Sequence, residues 1–350
     1  MSKITFYESK ASEQTGLKEL IAKTGELTGY EIIYTEDKLN DKTVKLAKEA
    51  EIISIFINSN LSKELIDQIP NLKLIVTRST GFDHIDCGYA KEKGIKVANM
   101  PAYGSRTVAE FTFALILALS RKVLRASHEV KSGRSFNTGE LMGFDLQGKT
   151  IGIVGTGRIG LNVAELAKAF RMNVIAYDLF KNEEQAKKIG FDYVPLDELL
   201  SRSDIVTLHV PNNKETRHLI NKDNIVKFKK GALLINTARG EVCETEALLL
   251  GLEKKILSGV ALDVLEGERD LKEESQFFEE KDMIISDAEK IKTLLEDHIL
   301  RDRPEVIITP HIAFFTAEAQ KEIITTSVAN LVAFIKGEAK NLISLPQILA

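Results

Sequence analysis

Three residues of this chain can between them bind an anion and move a proton, and each stands just past an apolar, β-branched run. Arg239 follows ALLINTA (Ala232–Ala238), Glu268 lies shortly after SGVALDV (Ser258–Val264), and His311 follows EVIITP (Glu305–Pro310). Such runs read as strands, and open α/β sheets bind ligands beyond the carboxyl ends of their strands. A guanidinium offers a planar fork to a carboxylate and polarises a neighbouring carbonyl. An imidazole exchanges a proton near neutral pH, and a carboxylate beside it favours its charged form. Reduction of the C2 carbonyl of a 2-oxo acid needs this set, because charge developing on the oxygen must meet a proton donor. In the oxidative direction the same histidine is the base. Each residue also has a plain structural reading. Arg239 can cap a helix or pair with Glu241 or Glu244, Glu268 can be one more solvated charge in an acidic run, and His311 can be a buried turn histidine beside Pro310.

A carrier for the hydride is suggested by Gly155-Thr156-Gly157-Arg158-Ile159-Gly160. This turn follows the apolar run Ile151–Val154 and opens a helical pattern, Leu161–Phe170. Gly155 permits the tight turn, Gly157 lets a pyrophosphate approach the backbone, and Gly160 lets the helix pack on the strand. A second strand pattern ends in Asp178, eighteen residues after Gly160. A carboxylate there accepts from ribose hydroxyls and repels a 2′-phosphate, which favours NAD over NADP. Lys181 follows, but no arginine. Taken alone, the glycine turn also allows a flavin, a nucleotide sugar or no ligand.

These residues need a scaffold of alternating strands and helices, and the chain supplies one. ITFYES, EIIYTE, Glu51–Ile57, Leu72–Ser79 and Ile95–Met100 read as strands of a first unit, with SEQTGLKELIAKTG as a helix. A long helical pattern follows over Ser105–Glu129. A second series of six strands comprises Lys149–Gly155, Met172–Asp178, Asp204–Val210, Ala232–Ala238, Ser258–Val264 and Glu305–Pro310. The charged stretch Glu266–Arg303 reads mainly as a solvated insertion, with helical spacing at Ile291, Leu294 and Leu295, and Thr316–Ile335 reads as a last helix.

Bulk composition agrees with two domains of this kind. The 350 residues exceed one ordinary core. Lys+Arg 47 against Asp+Glu 51 leaves no basic excess for nucleic acid. The apolar stretch Phe111–Leu119 is too short to span a bilayer, and the N-terminus is too polar for a signal peptide. Cys87 and Cys243 are the only cysteines, which suits a reducing, cytoplasmic compartment and forms no metal cluster; no metal is expected.

The chain resembles the D-isomer-specific 2-hydroxyacid dehydrogenases. The likeness covers nearly all of it, through RSTGFDHID (Arg78–Asp86), VAEFTFALILALSR (Val108–Arg121), GKTIGIVGTGRIG, VIAYD, LHVP (Leu208–Pro211), INTARG (Ile235–Gly240), ALDVLEGE (Ala261–Glu268) and TPHIAFFT (Thr309–Thr316). YDLF, LEGE and PHIAFFT look most like its D-lactate dehydrogenase branch. The resemblance implies two Rossmann-like, doubly wound α/β domains with a cleft between them. Residues 1–102 and 313–350 would form a flavodoxin-like substrate domain, and 103–312 an inserted NAD-binding domain. It implies Arg239 for the substrate carboxylate, His311 as acid/base and Glu268 as its partner. The cofactor set would be Gly155, Gly157, Arg158, Ile159, Gly160, Asp178, His209, Val210, Pro211, Thr216, Thr237, Ala238, Arg239 and Asp263. The substrate would also meet amides of Thr80 and Gly81, the hydroxyl of Tyr103, and Phe314. A homodimer is implied, touching through the Ser105–Glu129 helix and the loop before Gly148.

Departures and rivals follow from particular residues. Gly104-Ser105-Arg106 stands where lactate-type relatives carry Ser-Pro and a neutral residue, so Arg106 is a candidate for cofactor phosphates or another substrate. Glyoxylate/hydroxypyruvate, branched-chain and phosphoglycerate dehydrogenases share the catalytic set. The last would want cations such as Arg78 and Lys73. An NAD(H)-sensing corepressor uses the same fold as a binding module, but the chain has no low-complexity tail.

Overall fold

A computed structural model describes residues 1–101, 103–133, 136, 139–268 and 288–344. The chain divides into two units, Met1–Tyr103 with Phe315–Ala350, and Gly104–Phe314. The divisions fall after Tyr103 and Phe314, a residue or two beyond the expected ones.

The first unit is a parallel sheet of β1 (Ser2–Phe6), β2 (Tyr30–Tyr34), β3 (Ala50–Ile55), β4 (Leu74–Thr77) and β5 (Lys96–Ala98). Their order, β2-β1-β3-β4-β5, is the flavodoxin-like one. β3 and β4 are apolar almost throughout because helices cover both faces. One face packs α2 (Lys63–Asp67) and α3 (Cys87–Glu92) over Ile53, Ile55 and Ile75. The other packs α1 (Ala11–Thr24) and the last helix, α12 (Ala317–Ile335), over Ile4, Phe6, Ile52 and Val76. Thr316, expected inside that helix, is its N-cap, its hydroxyl accepting from the Ala319 amide at 3.2 Å.

The second unit is a seven-stranded parallel sheet, ordered β12-β11-β10-β9-β6-β7-β8. Its strands are β6 (Thr150–Val154), β7 (Asn173–Tyr177), β8 (Asp192–Tyr193), β9 (Ile205–Leu208), β10 (Ala232–Asn236), β11 (Leu257–Leu262) and β12 (Val306–Ile308). The order reverses between β6 and β9, the switch point at which such sheets bind ligands. Six strands were expected; β8 is the seventh, a two-residue edge strand with no apolar run to announce it. Around the sheet lie α4 (Ser105–Ser120), α5 (Val123–Lys131), α6 (Arg158–Ala169), α7 (Glu183–Ile189), α8 (Leu196–Arg202), α9 (Lys222–Ile225), α10 (Thr245–Glu253) and α11 (Ala288–Arg301).

Two more expectations change. The single helix over Ser105–Glu129 is two, because Lys122 takes a left-handed φ of 52° and Phe144 donates its amide to the Ser120 carbonyl at 3.0 Å. The charged stretch is more than a solvated insertion. Its 269–287 part lies outside the described residues, but α11 buries Leu300 in the main core of the unit and Asp297 beneath the β11 turn. Among the described residues no helix is long and apolar enough to cross a membrane.

Candidate active site

The glycine turn joins β6 to α6 and separates two kinds of glycine. Gly155 has φ +95°, and a Cβ on it would stand 2.7 Å from the His209 carbonyl oxygen. A Cβ on Gly160 would stand 2.0 Å from the Gly155 carbonyl oxygen. The chain's own packing requires both. Gly157 has an ordinary φ of -67°, and a Cβ there would meet nothing within 4 Å. The open space beside Gly157 leaves room for a molecule to come close to the backbone. Gly157 stands as N-cap of the 12-residue α6, where amides and helix dipole suit a phosphate. Arg158 and Ile159 form the first turn of that helix.

Asp178 follows β7 and ties the turn to the next strand. Its Oδ2 accepts from the Thr156 amide (2.6 Å) and hydroxyl (2.9 Å), and its Oδ1 from the Phe180 amide (2.8 Å). Tyr193 of β8 in turn donates to the Thr156 hydroxyl at 2.8 Å. A carboxylate so placed at the end of β7 suits a dinucleotide without a 2′-phosphate. His209–Pro211 follow β9. The His209 Nε2 pairs with the Thr207 hydroxyl at 2.9 Å, while Nδ1 is buried with no partner among the described residues. Burial pushes its pKa down to about 3, so the ring is neutral. Thr216 closes the loop by donating to the Pro211 carbonyl and accepting from the Asn213 amide. These features fit a bound dinucleotide: a glycine with open space beside it, a helix N-terminus and an orphaned ring nitrogen at the switch point.

The turns after β10, β11 and β12 carry the three chemical residues. Asn236, at the end of β10, clips the first, accepting from the Ala238 amide (3.0 Å) and donating to the Arg239 carbonyl (2.8 Å). Thr237 pairs with Thr112 of α4 at 3.1 Å. Arg239 is extended, and its Nη1 donates to the Ala238 carbonyl at 2.8 Å. A Cβ on Gly240 would stand 2.0 Å from the Leu265 carbonyl oxygen, so the Arg239 turn packs directly on the turn that leads to Glu268.

Asp263, buried after β11, organises the histidine turn. Its carboxylate accepts from the Thr309 hydroxyl (2.6 Å) and the amides of Ile312 (2.9 Å) and Ala313 (2.8 Å). Its carbonyl accepts from the His311 amide at 2.9 Å. Burial raises its pKa, against the pull of those donors. Together these bonds hold His311 at φ +55°, a region that side chains larger than glycine enter at a cost. The ring then meets Glu268, Nδ1 lying 2.9 and 3.2 Å from its two carboxylate oxygens. Phe314 stands edge-on to it, with centroids 6.3 Å apart. With Nδ1 turned to Glu268, Nε2 is the atom that can exchange a proton with a bound molecule. Glu268 is thus a histidine partner rather than one solvated charge of many.

Thr80, Gly81 and Tyr103 belong to the first unit. The Ser79–Gly81 turn is braced by Ser79 donating to the Gly81 carbonyl (2.6 Å), Thr80 to the Met100 carbonyl (2.8 Å) and Asn99 to the Thr80 carbonyl (2.8 Å). Tyr103 packs against that unit's α1–α12 core. The candidate cations are engaged elsewhere. Arg78 is 1% exposed, paired with Glu13 at 2.8 Å and donating to the Tyr7 and Glu8 carbonyls. Lys73 pairs with Glu51, and Arg106 with Glu110 and Glu165. Asn236 was missed as a positioning residue although it lies inside INTARG, since nothing in a strand-end asparagine reveals which turn it will clip.

The family profile described as "D-isomer specific 2-hydroxyacid dehydrogenase, NAD binding domain" matches residues 113–313. A protein of Haemophilus influenzae described as a 2-hydroxyacid dehydrogenase homolog is 34% identical over 98% of this chain and 99% of its own. An aromatic 2-oxoacid reductase of Clostridium sporogenes is 38% identical over 89% of this chain and 92% of its own. Among solved structures, a D-lactate dehydrogenase from Aquifex aeolicus, in complex with NAD and lactic acid, superposes with a TM-score of 0.85 at 38% identity, covering 96% of each chain.

Proposed function

Because the chain belongs to the D-isomer-specific 2-hydroxyacid dehydrogenases, NAD-dependent oxidoreductases, we propose that its reaction is the interconversion of pyruvate and D-lactate. The observation that carries the acid–base roles is the His311–Glu268 pair, held beside the Arg239 turn by the Gly240–Leu265 contact. Nicotinamide, when bound, would supply the hydride for C2. Arg239 holds the substrate carboxylate and polarises the carbonyl. His311 gives the C2 oxygen its proton from Nε2, and Glu268 fixes the ring through Nδ1. Asp263 keeps the histidine turn in its left-handed geometry. The turn shaped by Gly155 and Gly160, open at Gly157 and continued by Arg158 and Ile159, receives the pyrophosphate and Asp178 the ribose, with His209–Pro211, Thr216, Thr237 and Ala238 lining the remainder.

A small, unphosphorylated acid is favoured because Arg78 and Lys73 are committed to Glu13 and Glu51. The relatives also include a reductase of aromatic acids, so side-chain size is the open variable. The test is NADH oxidation with pyruvate, 2-oxobutyrate, 2-oxoisocaproate, phenylpyruvate, glyoxylate, hydroxypyruvate and phosphohydroxypyruvate. Highest kcat/KM on pyruvate or 2-oxobutyrate supports the proposal. Highest kcat/KM on a larger, hydroxylated or phosphorylated acid refutes the lactate assignment and leaves the mechanism standing.

A homodimer is proposed on a separate observation. α5 buries none of its residues and exposes Val123, Leu124 and Val130, and Phe136 and Met142 beyond it are more exposed still. Exposed apolar side chains gathered on one segment support an interface there. A second copy of the chain is the proposed occupant.

A further inference from the structure

The turn that carries Glu268 is held from an unexpected side. Glu266, two residues earlier, turns inward. Its Oε1 meets the His218 imidazole, and its Oε2 accepts from the amide and hydroxyl of Thr245, both at 3.1 Å, at the start of α10. Gly267 donates its amide to Oδ2 of Asp297 at 3.1 Å. Asp297 is 1% exposed and comes from α11, in the stretch that reads from sequence as a charged insertion. The fit is close, since a Cβ on Gly267 would stand 2.7 Å from that same oxygen. α11 is fastened in turn, through Leu300 in the core and through Lys292, which pairs with Glu246 of α10.

We infer that Asp297 is a positioning residue for the reaction: from α11 it fixes Gly267, and so aims Glu268 at His311. The inference rests on the acid–base roles proposed for His311 and Glu268. A buried carboxylate is costly to keep unless something uses it. Burial is the main cause that lifts the pKa of Asp297, to about 7. The neighbouring charges of Glu266 and Glu296 lift it too, while the Gly267 amide and the Thr245 hydroxyl lower it. What the carboxylate receives in its buried place is the Gly267 amide, with the Thr245 hydroxyl 3.5 Å from its other oxygen.

The test is a double-mutant cycle on steady-state reduction of the best 2-oxo acid by NADH, with NADH binding measured separately. Asp297→Ala is expected to lower kcat about tenfold with the NADH dissociation constant unchanged, and Asp297→Asn, which keeps an acceptor for Gly267, to recover most of that loss. In a Glu268→Gln background the alanine replacement is expected to cost less than about twofold, because its effect passes through the missing carboxylate. If Asp297→Ala does not fold, Gly267→Ala strains the same contact and is read in the same two backgrounds. Equal losses with and without Glu268 overturn the inference, as does unchanged kcat in the single variant. If Glu268→Gln itself leaves kcat unchanged, the acid–base reading fails instead.

Discussion

The catalytic histidine is held by one ring nitrogen and leaves the other for a ligand. His311 gives Nδ1 to Glu268, so His311→Gln is expected to slow reduction at least about a hundredfold while NADH binding, followed by fluorescence, stays nearly intact. Gly157 and Gly160 separate cofactor from architecture. Gly157→Ala is expected to fold with an unchanged melting temperature yet bind NADH at least about tenfold more weakly, since its Cβ meets only the ligand's space. Gly160→Ala is expected to lower the melting temperature itself, because its Cβ meets a carbonyl oxygen at 2.0 Å. Equal loss of stability in the two would refute that division. His311 was legible beforehand because it follows a strand with a type its chemistry demands, and the glycines because their spacing opens a helix after a strand. Asp297 was not, because a buried aspartate in LLEDHILRDR reads like its solvated neighbours until the fold places it under Gly267.

Among elements, apolar period identified every strand long enough to show one, and failed where an element is short or ends through tertiary contact. β8 is two residues long, yet its Tyr193 reaches the glycine turn. The α4–α5 break depends on Phe144, more than twenty residues on, capturing the Ser120 carbonyl. α11 lies in a stretch that its charge makes read as a solvated insertion, and it is tied to the core by Leu300. Its Asp297 also gives the fold a pH dependence whose sign is set. A carboxyl whose pKa is raised on folding, here from 3.8 to about 7, stabilises the protonated native state. That stability is present at low pH and is lost between about pH 4 and 7. The melting temperature of Asp297→Asn minus that of the parent is therefore expected to grow from pH 5 to pH 7 and level off by pH 8. A gap that shrinks over that range would contradict the burial argument.

For the whole molecule, the exposed face of α5 makes association testable without touching the site. Leu124→Glu with Val130→Glu is expected to convert a dimer into monomers by light scattering, with both units still folded by circular dichroism. A parent that is already monomeric at micromolar concentration would refute the dimer. The two-unit plan was legible from the alternation of patterns and from the family likeness, whereas the Ser105–Glu129 and pre-Gly148 surface expected to meet a partner came from the likeness alone. Exposed apolar residues have no periodicity of their own to read.

The position of α12 has a consequence for how the protein is made. The first unit packs Val328 and Leu331 of that helix over β1, β3 and β4, and Ile324 against Gly16 of α1. Yet Gly104–Phe314, 211 residues, must leave the ribosome before any of α12 does. At 5–20 residues per second, that interval is roughly 10–40 s. Through it the face formed by Ile4, Phe6, Ile52 and Val76 has α1 on it but lacks the part of its cover that α12 supplies. The inserted unit carries its own sheet and core and can close first. Nascent chains arrested after Phe314 are therefore expected to protect the glycine turn from protease while β1 and β3 remain cleavable. Protection of both would show that the first sheet finds another partner while it waits.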